Sequence, residues 1–203
     1  MAALEDKKLF LLDMDGTIYL DQTLFPGTEP FLNAVRARGG RYLFLTNNSS
    51  KSVDAYIAKL SGMGVPAARE DFLTSVDALI ADLNKRPAFR KCYAFGTQTF
   101  RRQLEEAGIP VTDHLEDGVD CLIAAFDTEL TFQKLEDACI LLNRGVEFIA
   151  TNPDWVCPTW YGSVPDVGCV CEMLFKATGR RPRGIGKPEP AMLRLALERT
   201  GFT

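Results

Sequence analysis

The sequence predicts an α/β fold in which strands and helices alternate and the strands run parallel. Three observations carry that prediction. Short apolar runs, Leu9-Phe10-Leu11-Leu12 and Tyr42-Leu43-Phe44-Leu45 among them, are separated by segments whose apolar residues recur at helical spacing. Both runs end abruptly in polar residues, Asp13-Met14-Asp15-Gly16-Thr17 after the first and Thr46-Asn47-Asn48-Ser49-Ser50 after the second. A strand, helix, strand order puts those polar ends at one edge of a parallel sheet, the edge where open α/β sheets bind ligands.

Leu9 to Leu12 is apolar at every position, which predicts a strand covered on both faces and therefore central in its sheet. Ile18 to Pro26 is too irregular for a long helix and is expected to form a loop or small hairpin beside the acids. Thr28 can cap a helix with Pro30 in its first turn, with Phe31, Leu32 and Val35 on one face and Gly39-Gly40 at its end. Tyr42 to Leu45 is a second buried strand. Val53, Tyr56, Ile57 and Leu60 stripe the next helix, stopped near Gly64, and Phe72-Leu73-Thr74 precedes a helix with Leu79, Ile80 and Leu83 inward.

A second α/β series follows. Its strands are expected at Cys92 to Phe95, Cys121 to Phe126 and Glu147 to Thr151, and its helices near Gln98 to Ala107 and Phe132 to Asn143. The last strand ends in Thr151-Asn152-Pro153-Asp154 and leads into an aromatic loop, Trp155 to Tyr161. A helix around Val170 to Ala177, the segment Gly184 to Pro190 and a final helix, Met192 to Thr200, complete the reading.

Bulk properties narrow the function. With 46% hydrophobic and 25% charged residues in 203, the composition is that of a soluble globular protein. A net charge of −4, a pI near 5.1 and the absence of a Lys/Arg run argue against a nucleic-acid or membrane-surface partner and for a small molecule. No apolar stretch approaches the ~20 residues that span a bilayer, and Met1 to Lys8 lacks the apolar core of an export signal, so a cytoplasmic protein is expected. The six scattered cysteines then read as reduced core thiols. Cys169-Val170-Cys171 lacks zinc or redox spacing, and the lone His114 disfavours a Ser-His-Asp or Cys-His mechanism.

Two carboxylates two positions apart are costly unless a cation or a shared proton relieves them. The usual reason to keep such a pair is chemistry in which one attacks and the other handles a proton. Together with Thr46 to Ser50 and Lys187 the pair makes the pattern of a phosphoryl-transfer site. Asp13 would be the nucleophile; Asp15 would protonate the leaving oxygen and then deprotonate water. The amides after Asp13, the Thr46 hydroxyl, the Asn47 amide, the Lys187 ammonium and a metal ion would surround the transferred oxygens. Gly186-Lys187 is not a nucleotide P-loop, because Arg181 and Pro188 occupy positions that need glycine and Ser or Thr.

Asp13-Met14-Asp15-Gly16-Thr17, Thr46-Asn47-Asn48 and Gly186-Lys187-Pro188 resemble, in order, the first three motifs of the haloacid dehalogenase superfamily phosphatases. The resemblance is to subfamily IIA, the branch of para-nitrophenyl phosphatase, NagD and pyridoxal phosphate phosphatase, and it runs through nearly the whole chain. It implies a Rossmann-like core, residues 1–78 and 181–203, interrupted by an inserted α/β cap of the C2 type, residues 79–180. Thr17 to Thr46 leaves room for a flap and one helix, whereas Ser50 to Lys187 holds a complete α/β module.

The resemblance implies magnesium-dependent hydrolysis of a small phosphorylated metabolite through an aspartyl-phosphate, with Asp13, Asp15, Thr46 and Lys187 catalytic. It implies Mg2+ held by Asp13 and Asp15, and phosphate or substrate contacts from Gly16, Thr17, Asn47, Asn48, Asn152, Asp154 and Trp155, with Trp160 and Tyr161 as further cap candidates. The family's fourth motif, an acidic pair completing the metal site, has no counterpart after Lys187, where only Glu189 and Glu198 occur. A further ligand is thus expected beyond Thr203. That gap motivates a rival reading, a truncated or non-catalytic chain that binds phosphate or a partner without turnover. A signalling receiver fits less well, having no use for a cap or for Asp15 as an acid. The sequence leaves homo-oligomerisation open.

Overall fold

Side chains alternate between the two faces of a strand, and in this chain that alternation sorts the apolar runs into three packed layers. The computed structural model describes residues 4–86 and 91–202. The first residues of the stretch read above for an export signal, 1–3, lie outside them.

The chain begins with β1 (Leu9–Asp13), then a small hairpin of β2 (Tyr19–Leu20) and β3 (Thr23–Leu24), α1 (Thr28–Ala37), β4 (Arg41–Thr46), α2 (Val53–Gly62), β5 (Phe72–Thr74) and α3 (Ser75–Asn84). The second series runs β6 (Cys92–Phe95), α4 (Gln98–Glu106), β7 (Val111–Thr112), β8 (Cys121–Ala124), α5 (Phe132–Asn143) and β9 (Glu147–Ala150). A second hairpin, β10 (Val156–Thr159) and β11 (Gly162–Pro165), leads to α6 (Val167–Thr178), β12 (Arg183–Gly184) and α7 (Pro190–Thr200). Two parallel sheets result, one ordered β1-β4-β5 and one ordered β12-β9-β8-β6-β7. The α/β fold with parallel sheets is as the sequence predicts.

In β4, Tyr42 and Phe44 turn towards Leu32 and Val35 of α1 and Tyr56 and Leu60 of α2, while Leu43 and Leu45 turn the other way. In β6, Tyr93 and Phe95 face Leu141 of α5 and Leu174 of α6, while Cys92 and Ala94 join Leu43, Leu45 and Leu73. The middle layer is thus shared by the two sheets, with Leu79 of α3, Phe100 of α4 and Met192 of α7 filling it. Each fully buried large side chain there stabilises the fold by about 1.5–3 kcal/mol, so the seam between the sheets is part of the core.

β1 is half-buried and, among the described residues, pairs with β4. Phe10 packs edge-on against Phe31 and Leu11 reaches the middle layer, so the apolar run is covered from both faces as expected. Two local readings change. Trp155 to Tyr161 is a hairpin arm and turn, not a loop, because Val156 to Thr159 pairs antiparallel with Gly162 to Pro165. α1 is preceded by Gly27 at φ 92°, and the Thr28 hydroxyl donates to Ile18 O at 3.0 Å in place of capping the helix.

Candidate active site

β1 and β4 run in register, Asp13 opposite Leu45, so Asp13 and Thr46 end adjacent parallel strands. Thr74 ends β5 opposite Thr46. The carboxyl edge of this sheet meets that of the five-stranded sheet across the Thr46–Ser50 loop. Ser49 Oγ accepts from the Phe126 N–H at 2.8 Å and lies 3.2 Å from Thr151 Oγ1, just beyond β8 and β9 respectively.

Lys187 closes the seam. Its ammonium donates to Asp13 Oδ1, a contact between residues 174 apart in the chain, and to Leu45 O at 3.4 Å. Asp13 and Asp15 keep 49% and 40% of their side-chain surface exposed, so both carboxylates are open to a ligand. Thr46 is buried, and its Oγ1 accepts from the Asn48 N–H at 3.1 Å, with its own hydrogen still a donor beside Tyr56. Gly16 adopts φ 83° and donates its N–H to Tyr19 O at 2.9 Å, while the Thr17 N–H donates to Met14 O at 3.1 Å. These two residues form the tight turn that carries Asp15; glycine is needed there because other residues are strained at that φ.

The remaining candidates divide. Asn48 lines a cleft at the site, its Oδ1 accepting from the Ser50 N–H at 3.0 Å and from Ser50 Oγ at 2.7 Å. Asn47, Asn152 and Asp154 hydrogen-bond to one another: Asn47 Nδ2 donates to Asp154 Oδ2 at 2.9 Å, and Asn152 Nδ2 to Asn47 O at 2.9 Å. The Trp155 side chain is exposed, and its carbonyl accepts from the Asp166 N–H and Cys169 Sγ, both at 3.0 Å. Trp160 and Tyr161, at the β10–β11 turn, do border the cleft, a space of about 600 Å3 that also touches Asp15, Gln22, Lys51, Lys59, Phe126 and Leu130.

Two residues beside the site carry no signal in the sequence reading. Lys59 of α2 lies 3.7 Å from Asp15 Oδ1 and 3.6 Å above the Tyr19 ring; burial pushes its ammonium down, against the pull of Asp15. Lys59 follows Tyr56 by three, so a lysine one turn on from an apolar stripe was the available clue. Asp166 is buried at the start of α6, where its Oδ1 accepts from the Val167 N–H at 2.6 Å. Burial, with Asp154 adding repulsion, pushes its carboxyl up to about 6.

A family model described as haloacid dehalogenase-like hydrolase matches residues 10–110. Across 195 residues the chain is 32% identical to an acid sugar phosphatase of Staphylococcus haemolyticus, covering 96% of this chain and 73% of that protein. The chain belongs to the haloacid dehalogenase-like hydrolases. Solved members of this family superpose closely: a 4-nitrophenylphosphatase from Thermotoga maritima with TM-score 0.92 and 38% identity, covering 98% of this chain and 76% of that one. A glycerol phosphate phosphatase from Mycobacterium tuberculosis, in complex with magnesium, gives TM-score 0.90 and 30% identity over 97% of this chain and 59% of the other. These neighbours put the chain in the phosphatase branch of the haloacid dehalogenase-like hydrolases, subfamily IIA, and bear out the fold expected from its motifs.

The Mycobacterium tuberculosis phosphatase is solved in complex with magnesium, and the motifs of this chain lead one to expect a divalent cation. Asp13 and Asp15 offer hard oxygen donors on one turn, and no group of three or more His, Cys, Asp or Glu gathers among the described residues. One or two carboxylates, completed by water and phosphate oxygens, is the donor set Mg2+ ordinarily takes. The residues present fit it.

Proposed function

We propose that the chain hydrolyses phosphate monoesters of small metabolites, sugar phosphates first among them, through an aspartyl-phosphate at Asp13. The observation that carries this reading is the meeting of Asp13 and Lys187, from opposite ends of the sequence, at the carboxyl edge of a parallel sheet. Lys187 offsets the charge of Asp13, so an anionic phosphate can approach a carboxylate nucleophile.

The Asp13 carboxylate oxygen attacks phosphorus, the ester P–O bond breaks, and Asp15 gives its proton to the leaving oxygen. Water then attacks the same phosphorus while Asp15 takes its proton; the bond to Asp13 breaks and inorganic phosphate leaves. Lys187, the Thr46 hydroxyl and the amides after Asp13 donate to the three phosphoryl oxygens throughout. Mg2+, which Asp13 and the Asp15 turn would help to hold, would supply further neutralisation of charge on those oxygens.

In this reading residues 79–180 form a cap over the site, and the cleft below the β10–β11 turn takes the leaving group. Trp160 and Tyr161 offer faces to a sugar's C–H groups, and Gln22, Asn48 and Thr159 offer hydrogen bonds to its hydroxyls. The name of the staphylococcal relative supports the choice of sugar phosphates. No helix among the described residues is long and apolar enough to cross a membrane, and we place the activity in the cytoplasm. Phosphate release from a panel of phosphate esters, with and without Mg2+, tests the proposal; turnover that is unchanged in Asp13→Ala contradicts it.

A further inference from the structure

Lys187 hangs from one sheet and acts against the other. Beyond β12 the chain continues the ladder on β9, with the Ile185 N–H donating to Ala150 O at 3.1 Å and the Gly186 N–H to Thr151 O at 2.8 Å. At Lys187 the ladder passes to a side chain. The Lys187 N–H donates to Asn47 Oδ1 at 2.9 Å, and its carbonyl accepts from Asn47 Nδ2 at 3.0 Å. The carboxamide of Asn47 thus occupies the place of a peptide group in a neighbouring strand, presenting one acceptor and one donor to one residue.

Everything around Asn47 fixes it there. Its side chain is buried, and its backbone carbonyl accepts from Ser75 Oγ at 2.9 Å and Asn152 Nδ2 at 2.9 Å. The second Nδ2 hydrogen goes to Asp154 Oδ2 at 2.9 Å. An ionised carboxylate only accepts, so Asp154 selects the orientation in which Nδ2 faces it and Oδ1 faces the Lys187 N–H. Turned over, the carboxamide would set oxygen against oxygen at both Asp154 and Lys187 O. Gly186 is a separate witness to the closeness: a Cβ there would lie 2.5 Å from Asn47 Oδ1 and 2.5 Å from Thr151 O.

We propose that Asn47 is a positioning residue that fixes the backbone of Lys187 and so aims its ammonium at Asp13, and that Asp154 holds Asn47 in the one orientation able to do so. The inference rests on the proposed function only for what Lys187 does to phosphate. The placing of the lysine is independent of turnover.

The test labels the full chain with a limiting amine-acylating reagent and reads each lysine by peptide mass spectrometry. Lys134, held by Asp127 and Gly96 O, is the internal reference. In Asn47→Ala, which removes both hydrogen bonds to the Lys187 backbone, the labelling rate of Lys187 rises about fivefold or more, and in Asp154→Ala, which removes the one bond by which Asp154 holds Asn47, it rises about twofold or more, with Lys134 unchanged. Asp154→Asn keeps an acceptor oxygen and restores the native rate. A native Lys187 rate in Asp154→Ala, or equal rates in Asp154→Ala and Asp154→Asn, overturns the proposal. Should Asn47→Ala not fold, the Asp154 pair decides by itself. Absence of phosphate release from the native chain would refute the function while leaving this labelling result to stand or fall separately.

Discussion

Asp13 and Asp166 are both carboxylates at an element's end, yet their surroundings set them opposite tasks. Asp13 is half-exposed and faces an ammonium. Asp13→Asn is expected to reduce turnover by about three orders of magnitude or more, while stability changes by about 1 kcal/mol or less, the worth of an exposed ion pair. Activity and thermal melts on the same preparation check both halves. Asp166 is buried, and its carboxyl is raised from 3.8 to about 6. The folded chain therefore holds that proton where the unfolded chain has lost it, and stability falls as pH rises through this interval. Asp166→Asn keeps a capping side chain and removes the slope. The variant should gain on the native protein between about pH 4 and pH 6 and stay level above, as urea unfolding would read; a difference independent of pH would remove Asp166 as its source.

Residue identity and residue task were not equally legible in the sequence. The acids, Thr46 and Lys187 announce themselves by following strands or a glycine in a spaced order. Asn47, Asn152 and Asp154 announce polarity only, since a carboxamide that binds a peptide group and one that binds a phosphate offer the same donors. Their mutual hydrogen bonds depend on segments more than a hundred residues apart.

Among the elements, the helices were the most legible, because a 3.6-residue apolar stripe survives any tertiary arrangement. Strand environment was less so. The apolar run of β1 told that both its faces are covered, by Phe31 and the middle layer, but not which elements would cover them. The β10–β11 hairpin was obscured by exposure: Val156 and Trp160 lie outward, so no alternation towards a core marks it. That hairpin carries a prediction. Trp160→Ala should change the ranking of sugar phosphates more than it changes the rate with para-nitrophenyl phosphate, because a small ester has little remote binding energy to lose. A uniform loss across substrates would make the turn structural. The segment after β12 carries another. Gly186→Ala should cost about 2 kcal/mol through overpacking against Asn47 and Thr151 O, and should lower Lys187's effect on phosphate binding with it. Full retention of inhibition by inorganic phosphate would show that the segment can shift freely.

At the scale of the molecule, two parallel sheets share a middle layer and bring their carboxyl edges together, and the site lies along that seam. β1 supplies Asp13 from one sheet; the extension of β12 supplies Lys187 from the other. The sequence showed two α/β series but not that the second would return a strand, only Arg183 and Gly184, to hang the lysine from β9. The claim that this seam performs phosphoryl transfer is tested most directly by trapping the intermediate. The native chain is mixed with para-nitrophenyl phosphate and Mg2+, quenched in acid within a turnover, and its peptides are read by mass spectrometry after hydroxylamine treatment. The account predicts hydroxylamine-sensitive phosphoryl on the peptide carrying Asp13, absent in Asp13→Asn and longer-lived in Asp15→Asn. Phosphate release without any phosphoryl on that peptide, or phosphoryl persisting in Asp13→Asn, would contradict it.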